Sequence, residues 1–395
     1  MRILVTNVGS TSLKYGLYEF PAERLLATGR IERIGEDNGS ASWNHNGDAG
    51  EIQQSFSSHK KAIDFILERL QEGVIDNLDQ LDCIAFKTVI AKGCVGCEML
   101  DDDVLQAMED YVFLAPAHNP PYIKAIKLFH ELLPNTPLIG LFEPAFHLTV
   151  PDYARVYPIP KEWRDKHEIQ RYGFHGASHR YVSERVPQLI NKPKEELNII
   201  SCHLGGSSSI CAISGGKSID TSMGFTPQTG VFHASRIGDL DPFVVLFLMK
   251  EEGYSIDDMV KMLTKDSGLK GLSGVSEDMR DIEAAMDQGS AEAGLAFKSF
   301  CYHVKKFIGS YIAVMGKLDV LAFAGGIGER GARVRQEVCQ GMEHLDIQID
   351  LEKNNSCSAT EMDISKPNDS TSVWVVPTNE ELIVARAAFE KLQVH

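Results

Sequence analysis

The stretch RILVTNVGSTSLKYGLY, residues 2–18, joins a β-rich run to an alternating apolar and polar run through a turn of small residues. This pattern predicts a β-hairpin. Residues 197–216, LNIISCHLGGSSSICAISGG, repeat the same order of strand, Gly/Ser loop and strand. The two copies lie roughly half the chain apart, which predicts a duplicated two-domain α/β architecture. The alternative is a chance match between two short hairpins.

A third loop of small residues follows an apolar run near the carboxyl end. Residues 318–331, LDVLAFAGGIGERG, predict a buried strand, a glycine loop and then a helix that contains Val334, Val338 and Met342. Glycines let backbone N–H groups approach an anion, and Lys14 after the first loop could neutralise phosphate charge. A single such loop is most often a simple turn, and neither Walker A spacing nor a full GxGxxG occurs. The three loops together favour nucleotide binding.

Helical periodicity fills the segments between the loops. Residues 60–73 place apolar side chains on one face, namely Ala62, Ile63, Ile66, Leu67 and Leu70. Residues 119–133 predict a helix capped by Asn119, with proline in its first turn. Residues 276–316 predict long helical stretches interrupted near Gly289, and residues 379–392 predict a capped carboxy-terminal helix.

The charge balance is acidic, with 39 Lys and Arg against 55 Asp and Glu among 395 residues, a formal charge of −16. This argues against a chain-wide basic footprint for nucleic acid or an anionic membrane, although a local cationic pocket remains compatible with it. The length predicts two or three domains. The apolar run 242–249 is far shorter than the roughly 18 residues that cross a bilayer, and the amino terminus shows no export signal.

Cysteine usage points to a reducing compartment. The eight cysteines are scattered and several lie in apolar strand-like runs, which predicts reduced thiols and a cytoplasmic location. Cys94 and Cys97 form a single CxxC without a second pair or a neighbouring histidine. We expect a plain loop there, and a zinc or redox site is the alternative.

Eight motifs, taken together, carry a family resemblance across the whole chain. They are NVGSTSLK (7–14), APAHNP (115–120), RYGFHGASH (171–179), DTSMGFTP (220–227), SRIGDLDP (235–242), GVSEDMRD (274–281), GGIGE (325–329) and PTNEE (377–381). In their order and spacing they resemble the acetate kinase family. The resemblance implies an actin-like ATPase (ribonuclease H-like) fold with two duplicated α/β domains around a central cleft.

The resemblance also implies domain bounds and partners. Residues 1–147 with 381–395 would form the acyl- and phosphate-binding domain, and residues 148–380 the nucleotide-binding domain. Mg²⁺, ATP and a short carboxylate would be bound, an acyl phosphate would form reversibly, and the chain would be a homodimer with neither a nucleic-acid nor a membrane partner.

Metal and nucleotide contacts follow from the resemblance position by position. Asn7 and Glu380 match magnesium-binding residues of the family. Without the resemblance, Asn7 would be interpreted as a turn residue, and Glu380 as an acidic residue favoured in the first turn of a helix. The nucleotide contacts fall on Ser10, Ser12, Lys14, His203, Leu204, Gly205, Gly206, Ser207, Asp278, Met279, Arg280, Gly326, Ile327, Gly328, Glu329 and Arg330. In isolation Asp278 and Arg280 read as a solvated helix pair.

Transfer of a phosphoryl group to a carboxylate brings two anions together, so cations must converge on them. Arg236 and His175 match the family residues that stabilise the transferring phosphoryl group. A guanidinium, which is charged at all relevant pH values, and an imidazole can both donate hydrogen bonds to the oxygens of this group. Without the resemblance, Arg236 would be interpreted as an ion-pair partner and His175 as a histidine of the core. Glu143 stands where the family has an essential Asp, commonly described as the acid/base. A carboxylic acid is already ionised at pH 7, so we expect Glu143 to orient magnesium or water.

Departures from the family pattern bear on the acyl group. Lys87 stands where the family has an arginine, which keeps the charge and loses bidentate geometry. Ala117 replaces a bulkier apolar residue, which would widen an acyl pocket near Val89, Phe174 and Pro227. His118 and His147 lie in matching motifs. Gly206 and Arg330 stand where the family usually has Asn, which bears on nucleotide preference.

Three hypotheses follow. The first is a kinase for a carboxylate other than, or larger than, acetate. The second is an ordinary acetate or propionate kinase in which Lys87 and Glu143 compensate each other. The third is a nucleotide-binding protein whose catalysis has decayed, which retention of His175 and Arg236 disfavours.

Overall fold

The computed structural model describes residues 1–116, 118–367 and 370–394. Its strands are β1 Arg2–Val8, β2 Ser12–Glu19, β3 Arg24–Glu32, β4 Ser40–His45, β5 Asp48–Gln53, β6 Cys83–Thr88, β7 Cys97–Met99, β8 Leu138–Phe142, β9 Asn198–His203, β10 Ser209–Ser214, β11 Lys217–Thr221, β12 Val320–Ala324, β13 Met362–Asp363 and β14 Ser372–Val375.

Its helices, in chain order, are α1 His59–Gly73, α2 Asp102–Asp110, α3 Asn119–Leu132, α4 Asp152–Arg155, α5 Lys161–His167, α6 Gly176–Ile190, α7 Pro242–Glu252, α8 Ile256–Lys265, α9 Gly268–Ser273, α10 Met279–Asp287, α11 Ala291–Met315, α12 Gly325–Arg330, α13 Ala332–Cys339, α14 Leu351–Ser356 and α15 Glu380–Val394. None of these described helices combines the length and apolarity that crossing a bilayer requires. The chain divides into two compact units, residues 1–145 with those from Asn379 onward, and residues 146–378.

The first unit is built on one sheet with the strand order β5-β4-β3-β2-β1-β6-β8-β7. The predicted hairpin is confirmed, since β1 and β2 pair antiparallel with Asn7 opposite Lys14. Strands β1, β6 and β8 run parallel. Their carboxyl ends therefore lie at the same edge of the sheet.

Helices cover this sheet through the apolar faces that the sequence predicts. On α1 the predicted apolar residues are all buried, and the Ser58 side chain accepts from Lys61 N at its start. The predicted carboxy-terminal helix is α15, where Asn379 Oδ1 accepts from Leu382 N at 3.0 Å. Helix α15 packs on β1, β6 and β8. Its first residue, Glu380, is thereby held next to the sheet.

The expectation that Asn119 caps α3 is wrong. Asn119 is the first residue of the helix, and His118 occupies the cap position. The Asn119 amide is buried and donates from Nδ2 to Ile90 O at 2.9 Å and to Met108 O at 2.8 Å. Its side chain therefore ties α3 to two neighbouring segments, because buried carbonyls need donors.

The second unit repeats the plan of the first. Its sheet order is β11-β10-β9-β12-β14-β13, and β9 and β10 form the second predicted hairpin. In each unit three antiparallel strands are followed by two parallel ones, as β3-β2-β1-β6-β8 and β11-β10-β9-β12-β14. The shared order confirms the predicted duplication. The predicted interruption is also confirmed, since Gly289 separates α10 from α11.

The glycine segment after β12 differs from the expected loop, because residues 325–330 form the short helix α12. Gly325 has φ +73°, and a Cβ there would lie 2.6 Å from Leu204 O. The same Leu204 carbonyl accepts from Ile327 N at 2.8 Å and Gly328 N at 3.1 Å. Only glycine at 325 lets α12 begin this close to the end of β9.

Candidate functional site

Four of the predicted site residues meet at one edge of the first unit's sheet. Asn7 is on β1, Lys87 is on β6, Glu143 directly follows β8, and Glu380 begins α15. The pairing of β1 with β6 and of β6 with β8 brings Asn7, Lys87 and Glu143 together, and the packing of α15 on these strands adds Glu380. We call Lys87, Glu143 and Glu380 the lysine–carboxylate cluster.

A lysine stands between two carboxylates in this cluster. Lys87 Nζ lies 3.1 Å from Glu143 Oε1 and is also ion-paired with Glu380. The side chains of Lys87, Glu143 and Glu380 are only 18%, 6% and 17% exposed. Burial alone would lower the pKa of Lys87, but the two carboxylates outweigh it and raise that pKa well above its usual value. Lys87 is therefore a charged ammonium at neutral pH.

Asn7 is oriented by a buried tyrosine beside the cluster. Tyr122 on α3 donates from its hydroxyl to Asn7 Oδ1 at 2.9 Å. Burial raises the pKa of Tyr122, which keeps it a neutral donor. Sequence reasoning missed Tyr122, because its place in an apolar helix face reads as core.

The residues at this edge fit a magnesium ion by their chemistry. Among the described residues no group of three or more His, Cys, Asp or Glu side chains is arranged to hold a metal. Mg²⁺, however, is usually bound by one or two protein oxygens together with waters and substrate phosphates. The amide oxygen of Asn7 and the carboxylates of Glu380 and Glu143 supply such oxygens.

The first Gly/Ser turn lies between β1 and β2. Gly9 N donates to Ser12 O at 2.8 Å, which closes the turn around Ser10. Lys14 on β2 is exposed and lines a groove of about 350 Å³ with Tyr18 and Glu381. The structure does not place Ser10 or Ser12 among the residues that line this groove.

The second unit contains a pocket of about 610 Å³ in which half of the predicted nucleotide contacts converge. From the predicted set it is lined by Gly205, Gly206, Asp278, Met279, Arg280, Gly326, Ile327 and Arg330. Ala234, Glu277, Glu283 and Gly331 also line it. Glu277 and Gly331 lie in stretches that the sequence analysis singled out but were not predicted as contacts, and Ala234 and Glu283 lie outside those stretches. Four segments far apart in sequence thus form one pocket.

Two features of this pocket bear on what it can hold. Arg280 and Asp278 form an ion pair of 2.5 Å at the start of α10, and Arg330 is largely exposed. A side chain at Gly206 would meet no heavy atom within 4 Å. The glycine that departs from the family pattern therefore leaves open space in the pocket wall.

The other predicted nucleotide contacts lie outside this lining. Leu204 and Gly328 are buried and joined to each other through the backbone, and Ser207 lies in the loop between β9 and β10. Glu329 is 3.9 Å from Arg330. His203, at the end of β9, is placed beside His175 instead, with ring centroids 4.3 Å apart.

His175 is held in a hydrogen-bonded network of histidines and serines. It has φ +56° and precedes α6, and its Nδ1 is 2.8 Å from Ser209 Oγ. Ser209 Oγ also bonds His179 Nε2 at 2.7 Å, and His179 Nδ1 bonds Ser201 Oγ at 2.9 Å. Burial holds the pKa of His179 well below its usual value, so this ring is neutral. Ser209 and His179 thus fix the orientation of the His175 ring.

His147 has a structural place near the same segment. Its Nε2 donates to Phe174 O at 3.0 Å, and Ser218 Oγ is 2.9 Å from its Nδ1. Burial lowers the pKa of His147 to about 4. His147 is therefore neutral, and it anchors the backbone that precedes His175.

Arg236 lies on a loop that is fastened to α9. The loop carbonyl of His233 accepts from Leu269 N at 2.8 Å. Gly268 has φ +63°, and a Cβ there would lie 2.2 Å from His233 O, so only glycine permits this contact. Arg236 Nη1 donates to Pro227 O at 2.9 Å, and burial lowers the Arg236 pKa to about 10. The predicted catalytic arginine and Pro227 are thus adjacent.

The remaining predicted acyl-site residues are divided between the two units. In the first unit Val89 is buried, His118 is half-buried at the start of α3, and Ala117 lies outside the described residues. In the second unit Phe174 is buried directly before His175. The structure therefore leaves the assignment of an acyl pocket to these residues as a prediction.

Two units with the same strand order, one of which holds a pocket of nucleotide size, define an actin-like ATPase fold. The family model described as the acetokinase family matches residues 2–386, and the chain belongs to this family. It is 44% identical to acetate kinase of Thermoanaerobacterium thermosaccharolyticum over 391 residues, which is 98% of each chain. It is also 44% identical to acetate kinase of Clostridium acetobutylicum over 392 residues.

Two solved structures are similar along their whole length. The crystal structure of Porphyromonas gingivalis acetate kinase has a TM-score of 0.87 at 37% identity and covers 99% of each chain. That of a propionate kinase from Francisella tularensis has a TM-score of 0.89 at 34% identity and covers 98% of each chain. The predicted family and fold are confirmed, and the chain is an enzyme, a kinase with a carboxyl group as phosphoryl acceptor.

Proposed function

We propose that this enzyme transfers the γ-phosphoryl group of ATP to the carboxylate of a short-chain acid of acetate or propionate size and reversibly forms an acyl phosphate. The observation that carries this proposal is the pocket of about 610 Å³ in the second unit, which gathers the glycines that follow β9, the first turn of α12 and the start of α10. Backbone N–H groups in glycine-rich turns and in the first turn of a helix suit phosphates.

Arg236 and His175 are proposed to contact the transferring phosphoryl group. Both belong to the second unit. Ser209 at the start of β10 holds His175, and the neighbouring Ser208 N donates to His233 Nδ1 at 2.9 Å in the loop that carries Arg236. A partly buried guanidinium and a pre-oriented imidazole stabilise developing charge without reorganising. Positioning and electrostatics are the main requirements of phosphoryl transfer.

Lys87 is proposed to attract the acceptor carboxylate, with Glu143 as its electrostatic partner. An ionised carboxylate, whose pKa is about 4 to 5, needs no base at neutral pH. The contact of Glu143 with Lys87 supports an electrostatic role for this carboxylate. Asn7, Glu380 and Glu143 would hold Mg²⁺, which would supply positive charge to offset the negative charge of phosphate groups.

The acyl group could be of acetate or propionate size, or it could be larger. The 3.1 Å contact between Lys87 and Glu143 supports compensation, in which the longer acid meets the lysine, and hence an acetate or propionate kinase. The names of the relatives agree with this candidate. A carboxylate other than, or larger than, acetate stays a prediction that rests on Ala117 in place of a bulkier residue and on the loss of bidentate geometry at Lys87.

A hydroxylamine-trapping assay tests the proposal. The enzyme is incubated with ATP, Mg²⁺ and one carboxylate at a time, from formate through acetate, propionate and butyrate to branched and hydroxy acids. We expect an optimum at acetate or propionate. An optimum at butyrate or beyond would support the larger acyl group, and no hydroxamate with any acid, from protein shown to bind ATP, would contradict the proposal.

We also infer a homodimer formed through α7. This helix has no buried residue, and Phe243, Leu246 and Phe247 are 73%, 56% and 61% exposed. An apolar patch of this kind marks an interface, and a second copy of the chain offers a self-complementary one. Sedimentation velocity should show a dimer that Phe247→Glu weakens and Tyr153→Glu, another exposed aromatic, does not. A monomeric parent protein would contradict this inference.

A location in the cytoplasm stays a prediction. Most of the cysteines are buried thiols inside the two units, such as Cys202, Cys211 and Cys301. Burial raises the pKa of each of these three thiols, which makes them unreactive.

A further inference from the structure

The lysine–carboxylate cluster contains its own cation. Glu143 and Glu380 contribute two negative charges and Lys87 one positive charge, and all three side chains are mostly buried. Carboxylates in such a place require a cationic partner. Lys87 meets this requirement from within the chain.

The same carboxylate oxygens are the ones that a divalent cation would need. An ammonium and a metal ion cannot both occupy the space against Glu380, because their charges repel at short distance. Lysine is a point charge on a flexible stem of four carbons, so its ammonium can swing away without moving β6. This differs from a guanidinium fixed by two parallel hydrogen bonds.

We propose that Lys87 is an internal counter-ion that competes with a divalent cation for Glu380 and Glu143, and that an acceptor carboxylate relieves this competition by drawing the ammonium away. The inference rests on the proposed function in taking Glu380 and Asn7 as metal-binding residues. It makes metal binding and carboxylate binding mutually dependent.

Charge accounting gives the sign of this dependence. The cluster alone carries one net negative charge, and a divalent cation turns this into one net positive charge. One carboxylate then brings the sum to zero. Because each ligand improves the electrostatic environment of the other, metal and carboxylate should bind with positive cooperativity, and the coupling must be reciprocal.

The test measures Mn²⁺ binding to the nucleotide-free protein, by the electron paramagnetic resonance signal of unbound Mn²⁺. We expect Lys87→Met to bind Mn²⁺ at least about tenfold more tightly than the parent protein, since one repelling charge is lost. Lys92→Met removes an exposed lysine five residues further on and should change nothing. Adding Glu380→Gln to Lys87→Met should abolish the gain.

The second part of the experiment measures Mn²⁺ binding in the presence of acetate. It should tighten Mn²⁺ binding to the parent protein several-fold and have no such effect on Lys87→Met. Binding of Mn²⁺ to a folded Lys87→Met protein no tighter than to the parent would overturn the proposal. If that variant does not fold, the parent protein decides, because an Mn²⁺ affinity that is unchanged by acetate also overturns it.

These outcomes are separate from the fate of the proposed function. A parent protein that makes acyl phosphate but shows no coupling between acetate and Mn²⁺ refutes only this inference. One that shows the coupling and makes no acyl phosphate refutes only the proposed transfer reaction.

Discussion

Replacing Lys87 by methionine should destabilise the first unit, because it leaves two mostly buried carboxylates without their cation. Replacing Glu143 by glutamine should cost less, because Lys87 keeps its ion pair with Glu380. The two substitutions together should cost less than the sum of the single ones, since the double variant no longer contains the pair.

The distance between Lys87 and Glu143 sets the expected change in the free energy of unfolding. At 3.1 Å between Nζ and Oε1 the Coulomb energy is about 5 kcal/mol with an effective dielectric constant of about 20. Desolvation offsets part of it, and removing one partner of a buried pair costs about 3 to 5 kcal/mol. We therefore expect about 3 kcal/mol for Lys87→Met, about 1 kcal/mol for Glu143→Gln, and a coupling energy of about 2 kcal/mol.

Urea unfolding followed by tryptophan fluorescence measures these values within the first unit. The sequence contains three tryptophans, of which Trp43 lies on β4. Replacing Trp163 and Trp374, both in the second unit, by phenylalanine leaves Trp43 as the reporter. A chelator in the buffer prevents a metal ion from substituting for Lys87.

Additivity would refute this reasoning. If the double variant costs the sum of the single variants within about 0.5 kcal/mol, Lys87 and Glu143 do not interact in solution. A cost below about 1 kcal/mol for Lys87→Met would likewise mean that the cluster is solvated.

Three further predictions concern the second unit. Arg236→Ala should lower kcat about a thousandfold and leave the ATP dissociation constant, measured by calorimetry, nearly unchanged; loss of ATP binding would contradict this. Burial lowers the His147 pKa to about 4, so its stabilising contribution is present above about pH 6.5 and is lost as the pH falls. Between pH 7 and 5 the fall in the free energy of unfolding, measured in urea, should be about 2 kcal/mol smaller for His147→Asn than for the parent protein, whereas exposed His344→Asn should match the parent; equal pH profiles of His147→Asn and the parent would count against it. Gly268→Ala should cost about 2 kcal/mol or more in unfolding, since its Cβ would clash with His233 O, and a neutral result would be contrary to the structure.

The sequence predicted the elements that local patterns determine. The hairpins and α1 follow from alternation and helical periodicity within short stretches, and the structure agrees. The role of Asn119 could not be predicted in this way. Its amide binds Ile90 O and Met108 O, and only the packing of α3 brings these carbonyls near it.

In the candidate site, too, single residues could be predicted from the sequence, but their contacts depend on tertiary packing. Lys87, Glu143 and Glu380 could be named one by one from motifs, but their union in one cluster depends on parallel pairing of β6 and β8 and on the packing of α15. Tyr122 could not be predicted as a site residue, because a tyrosine on the apolar face of a helix is usually part of the core. Ser209 and His179 act through His175, and that contact exists only once β10 is paired.

Phosphorus nuclear magnetic resonance of a mixture of enzyme, ATP, Mg²⁺ and acetate tests the central claim most directly. The account predicts an acyl phosphate resonance that grows as the γ-phosphate resonance of ATP declines by the same amount, and no such exchange with Arg236→Ala. Loss of the γ-phosphate to inorganic phosphate alone, or an unchanged ATP spectrum with acetate and with propionate, would contradict it.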